Sequence, residues 1–144
     1  PGHVINVTHG QHNAAGMSQA STGWVEYTPS RVTVTKKLGS GQSYLMVMAA
    51  AWIEYGVAQA HLSYSLMRDG VEVTSASYGL GNLYSSINAS GAYQSSADMS
   101  WVDTTNLAAG NYVYSVAVKS QNSATIQIGN GGRLGTMQIL EIAQ

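Results

Sequence analysis

The 144-residue sequence has no cysteine, no phenylalanine, two prolines and few charges. The lack of cysteine excludes disulfides, thiolate metal sites and cysteine nucleophiles. Charged residues make up 9% of the chain, far below the usual quarter. A formal net charge of −1 gives no broad attraction to nucleic acid or to an anionic membrane. The longest nearly apolar stretch, Tyr44 to Ile53, is too short to span a bilayer. Neither nucleic-acid binding nor membrane insertion is expected. No basic segment followed by an apolar run opens the chain, so no signal peptide is expected. Pro1 implies trimming after Met or a cut from a longer chain.

What is present is β-sequence. Short alternating runs follow one another: Val4 to Thr8, "GWVEYTP", "RVTVTKK", "AQAHLSYSLM", "VEVTSASY", "AYQSSADMSWVDT", "NYVYSVAVKS", "SATIQIG" and "TMQILEI". Connectors rich in Gly, Asn and Ser separate them, at the spacing of a sandwich or barrel. "GWVEYTP" and "RVTVTKK" read as a pair turning at Pro29-Ser30. "SYLMVMAAAWIEY" reads as a strand buried on both faces. No window holds a helical period, and a central helix would need caps that are missing. No linker splits the chain, so residues 1–144 are expected to form one domain. A surface this poor in charge is weakly defended against association. That points to self-burial, with part of the second face of "YLMVMAAAWI" as subunit contact.

The hairpin "SYSLMRDGVEV" carries the clearest turn signal. Asp69-Gly70 suits a two-residue turn with φ > 0. Ala60 to Met67 and Val71 to Ser77 are expected to pair across it, with Arg68 and Glu72 as a charge pair at the tip. Gly79 to Gly91 then forms a long connector, of a length that is usually functional or disordered.

Motifs for chemistry are weak. His3, His9 and His12 crowd the start, but zinc would want His9 and His12 on a helix or tight loop, so no metal or other cofactor is expected. "YGLGNLY" has Tyr84 where a dinucleotide loop needs glycine. "GMSQA" lacks the closing glycine of a nucleophile elbow. A glycosidase would need two carboxylates brought together by folding, such as Glu54 and Asp98. No catalytic residue is assigned and no enzyme is expected. Nine tyrosines and three tryptophans suit rings that pack while their polar ends stay hydrogen-bonded. Trp24, Trp52 and Trp101 lie in strand patterns and are expected in core or interface. Tyr78, Tyr84 and Tyr93, with Asn82 and Asn88, are the candidate ligand-binding residues. Rings stack on sugar faces and amides bond hydroxyls. The plainer reading makes the same tyrosines loop anchors or subunit contacts.

"PGHVI", "LMRDGVEV" and "MQILEIAQ", in that order, resemble segments of tailed-phage structural proteins. Those proteins end in small jelly-roll domains similar to the trimeric complement and tumour-necrosis-factor-like fold. The resemblance implies an all-β antiparallel sandwich, a jelly roll assembled as a homotrimer. It also implies a place in a virion, on the tail or capsid surface, with other virion proteins as partners. The function it implies is host-surface glycan attachment by a tail fibre or similar appendage. A capsid decoration or cement protein is the alternative, and a glycan hydrolase the third reading. In this fold the first and last strands run side by side, which would set Met137 to Ile142 next to Val4 to Thr8.

Overall fold

The computed structural model describes residues 2–12, 16–55, 60–84, 93–129 and 135–144; of Tyr55 and Tyr93 it describes the backbone alone. Strands are the only regular secondary structure among these residues. The strands are β1 (Val4–His12), β2 (Met17–Gln19), β3 (Val25–Lys36), β4 (Ser43–Tyr55), β5 (His61–Arg68), β6 (Val71–Glu72), β7 (Gly81–Tyr84), β8 (Tyr93–Asp103), β9 (Gly110–Ser120), β10 (Ile126–Ile128) and β11 (Gly135–Ala143). One sheet runs β1-β11-β4-β8, with β10 and then β2 continuing along the β11 side of β4; the other runs β3-β9-β5, with β6 and β7 both on the far edge of β5. Every named strand pair is antiparallel. Consecutive long strands alternate between the sheets, and the first and last lie adjacent, which is a jelly roll. The sequence expectation of an all-β antiparallel sandwich holds. So does the pairing of the two ends, from Val4 opposite Ile142 to Gly10 opposite Met137.

β4 organises the core. Leu45, Val47, Ala49, Ala51 and Ile53 are buried, while Tyr44, Met46, Met48, Ala50, Trp52 and Glu54 between them are half-buried. The run is therefore not buried on both faces, as its apolar composition suggested. Its period is two, one face against the other sheet and one outward. Facing it are Val34 of β3, Leu62 and Leu66 of β5, and Tyr114 and Val116 of β9, all in one hydrophobic cluster. β11 adds Met137 and Ile139 to the same cluster.

Three local expectations are corrected. The segments either side of Pro29-Ser30 are not a hairpin. They are one strand, β3, and both halves pair with β9 across an irregularity between Tyr27 and Val32. Ser30 holds the kink by donating its hydroxyl to the Tyr27 carbonyl at 2.6 Å and accepting from Val116 N at 2.8 Å. The hairpin at Asp69-Gly70 does form, with φ of 51° and 81°, but its second arm ends at Glu72. There the Glu72 carboxylate accepts from the hydroxyls of Ser65 and Thr74 and from Ser75 N. This turns the chain away, and Ser75 takes φ 55°.

Nor do Arg68 and Glu72 form a tip pair. Arg68 Nη1 instead donates to Asp103 Oδ2 at 2.6 Å and to Thr105 Oγ1 at 2.7 Å. Asp103, only 2% exposed, also accepts from the Tyr114 hydroxyl at 2.7 Å. Asp103 lies on β8 and its partners on β5 and β9, so one carboxylate ties the two sheets together. Burial alone would raise its pKa. Hydrogen bonds from Thr105, Tyr114 and Arg68 outweigh that and hold it below the ordinary carboxylate range. Glu141 of β11, fully buried, is held low in the same way by Leu38 N, Lys37 N and the Ser43 hydroxyl.

The histidine spacing resolves on strand geometry. His9 points outward and is exposed, whereas His12 is 6% exposed beneath Tyr27, ring centroids 5.5 Å apart. Three residues apart on a strand means opposite faces, so these two cannot share a metal. No group of metal-binding side chains occurs among the described residues. Burial lowers the His12 pKa below its usual value of about 6.5. A depressed folded pKa means that the unfolded chain binds the proton first. Stability is then fully present above about pH 6.5 and falls as the pH drops from there toward the folded value. The lowered carboxylates Glu26, Glu72, Asp103 and Glu141 act only below their own unfolded values, about pH 4.5. The melting temperature should therefore fall between pH 6.5 and 5 in the wild type. His12→Phe should flatten that slope; an unchanged slope would show that another group carries it.

Candidate functional site

Leu62 and Leu66 of β5 are buried in the core, so His61, Ser63 and Ser65 take the outer face of their sheet. β7 pairs with the first half of β5, setting Tyr84 opposite His61 and Asn82 opposite Ser63. The segment after Glu72 folds back over this face. Leu80 N bonds the Tyr64 carbonyl at 3.0 Å, and Gln121 Nε2 reaches Ser63 Oγ at 2.5 Å and the Ser77 carbonyl at 3.3 Å. This lays Tyr78 on His61, ring centroids 5.8 Å apart and 27° from parallel. Tyr84 meets the same imidazole edge-on, at 5.7 Å and 86°. Tyr84 is 61% exposed and Tyr78 50%.

The surface continues through Gly79. Its φ is +63°, and a Cβ there would lie 2.6 Å from Trp24 Cη2, 2.7 Å from Ser65 Cβ and 2.7 Å from the Tyr64 carbonyl oxygen. Only glycine lets the backbone sit this close to the indole. The Lys119 ammonium lies over the same indole, 4.5 Å from the ring centroid. The result is one strip of surface: Tyr84, His61, Tyr78, Gly79, Trp24, Lys119.

Of the sequence candidates, Tyr78, Asn82 and Tyr84 come together here. Asn88 lies outside the described residues. The backbone of Tyr93 opens β8 opposite Tyr55, in the other sheet. The supposed connector Gly79 to Gly91 in fact includes strand β7. Sequence reasoning missed His61, Trp24 and Lys119 as part of the site. His61 and Tyr84 meet through cross-strand register, which 22 intervening residues conceal. The signal in reach was the pair Gly79 and Gly81, glycines two apart that let rings approach the backbone.

Two other places bear on chemistry. An open depression of about 410 Å3 lies on the outer face of the β1-β11-β4-β8 sheet, lined by His9, Met48, Ala50, Asp98, Thr136 and Gln138 among others. Its floor is low because Ala50 sits between Thr136 and Asp98 in the sheet. Glu54, opposite Gln94, is four residues along β4 from Ala50, about 13 Å at strand rise. Paired glycosidase carboxyls sit about 5–9.5 Å apart, shorter than this backbone separation.

No protein-family model and no curated protein matches the chain. Among solved structures it is similar to the C-terminal CBM6 of LamC, a marine laminarinase from Zobellia galactanivorans. Identity is 15% and TM-score 0.33, over 92% of this chain and 98% of that one. It is also similar to the Eiger TNF from S. frugiperda, at 11% identity and TM-score 0.36, over 98% of this chain and 94% of that one. The jelly-roll assignment rests on strand order, not on likenesses this distant.

Gly79→Ala tests how tightly the strip is built. It should cost more than Gly41→Ala, whose φ is also positive, +73°, but whose Cβ would meet nothing. The strain common to both is about 1–3 kcal/mol, and the excess in Gly79→Ala measures the packing on Trp24. Equal melting temperatures for the two variants would deny that packing.

Proposed function

We propose that the chain is a non-catalytic attachment module that binds a host-surface glycan through the Tyr84–His61–Tyr78 strip. The observation that carries this reading is two half-exposed tyrosines fixed on one imidazole, beside the exposed amide of Asn82. Large exposed rings cost solvation unless something covers them, and pyranose faces cover rings. The amide supplies donors and an acceptor for hydroxyls. The rings are held by strand pairing rather than by a free loop, which limits the ordering cost of binding. A site of this size binds one sugar weakly, and several copies supply avidity. The phage-like segments at the start, middle and end support a place on a tail fibre or similar virion appendage. On a glycan array the wild type should bind a subset of glycans, and Tyr84→Ala should reduce the signal at least about tenfold without lowering the melting temperature. Binding unaffected by both Tyr84→Ala and Tyr78→Ala would move the site elsewhere.

The copies are supplied by a homotrimer. The outer face of the β1-β11-β4-β8 sheet carries an apolar row in register: Val7, Leu140, Met46, Val102. Val7 and Val102, at its two ends, are 53% and 42% exposed. Tyr44 and Ile142 extend it one step along the strands. Such a row favours burial against another copy. A shell protein of the virion covering the same row is the cement reading. Sedimentation of the wild type at micromolar concentration should give three times the chain mass, and the double variant Val7→Lys, Val102→Lys should give one. A monomeric wild type would favour the cement reading.

A further inference from the structure

The charges around the aromatic strip identify a class of glycan, an inference that rests on the glycan-binding reading above. Among the described residues, Arg31 is paired with Glu26 and Arg68 with Asp103, Lys36 Nζ is spent on the carbonyls of Leu38 and Gly39, and Lys37 lies past the end of β3, where its backbone N–H is held by Glu141 of the other sheet. Lys119 has no acidic partner there; its ammonium rests on the Trp24 indole. Its place in the sheet is fixed: Lys119 lies opposite Ser63, and Ser63 opposite Asn82 on the next strand. Two strand spacings put Lys119 and Asn82 about 10 Å apart, the span of two sugar rings. The nearest acids on this face lie two and four residues further along the register and are already engaged. Glu26, opposite Ala117, is held by Arg31 and the Ser115 hydroxyl. Glu72 is held by Ser65, Thr74 and Ser75 N. The strip therefore ends in an uncompensated positive charge with three donors, in a chain that has only six cations.

We propose that the site takes an anionic saccharide, one carrying a carboxylate or sulfate, with that group seated against Lys119 while the sugar rings lie along Tyr78 and Tyr84. Both anions offer the same oxygen acceptors to an ammonium, and an ammonium already held on an indole loses little rotamer freedom in binding them.

The test is calorimetry with oligosaccharides of one backbone in neutral, carboxylated and sulfated forms, against the wild type, Lys119→Gln, Lys119→Arg and Tyr84→Ala. The acidic forms should bind about tenfold tighter than the neutral one at low salt, and the advantage should shrink at high salt. Lys119→Gln should bring the acidic forms down to the neutral affinity, Lys119→Arg should keep the preference, and Tyr84→Ala should weaken every form. A preference for carboxylate over sulfate, or the reverse, would name the anion and support the proposal. Equal binding of neutral and acidic forms, unmoved by Lys119→Gln but weakened by Tyr84→Ala, would overturn the proposal and leave the glycan reading intact. No binding of any form would overturn both.

Discussion

The fold depends on the alternation of β4. Thirteen residues place every second side chain in the core, and the strand is paired along both edges, to β8 on one and to β11 and β10 on the other. A slip of one residue would turn Leu45, Val47 and Ile53 to solvent and set Met46, Met48 and Trp52 into a space cut for smaller groups. Because β4 fixes β8 and β11, it also fixes which side chains point inward on each. Asp103 and Glu141 are the two inward carboxylates that result, and each is matched in full by hydrogen bonds. Unmatched, either would cost several kcal/mol.

The two sheets then divide their labour. The β1-β11-β4-β8 sheet has an outer face with an apolar row and an open depression, a surface suited to contact over area. The β3-β9-β5-β7 sheet has an outer face crossed by the segment after Glu72, which raises rings above it. The low charge of the chain fits both. Few acids or bases interrupt the apolar row, and Lys119 stands out on the second face because so little surrounds it.

The strand pattern was legible in the sequence, because period-two alternation and Asp-Gly turn chemistry are local; the end-to-end pairing followed from the resemblance to jelly-roll domains. What failed was local in appearance and tertiary in cause. Pro29-Ser30 reads as a turn, yet Ser30 is satisfied by Val116 N on a distant strand, so the chain kinks and continues. Val71 to Ser77 reads as a full arm, yet three donors on one Glu72 carboxylate end it early. Arg68 and Glu72 read as a pair because they are close in sequence, whereas the partner of Arg68 is 35 residues away. At the site, two tyrosines and Asn82 were readable as a sugar-binding composition. His61, Trp24 and Lys119 were not, since only register and the closeness allowed by Gly79 bring them in.

The glycan site proposed is the strip over β5, not the depression at His9 and Asp98. Nuclear magnetic resonance of the labelled chain, titrated with a saccharide it binds, separates the two most directly. Binding at the strip should put the largest shifts on the Trp24 indole, the His61 ring and the amides of Tyr78 and Tyr84. Shifts centred on His9, Met48 and Asp98, with the strip silent, would contradict it.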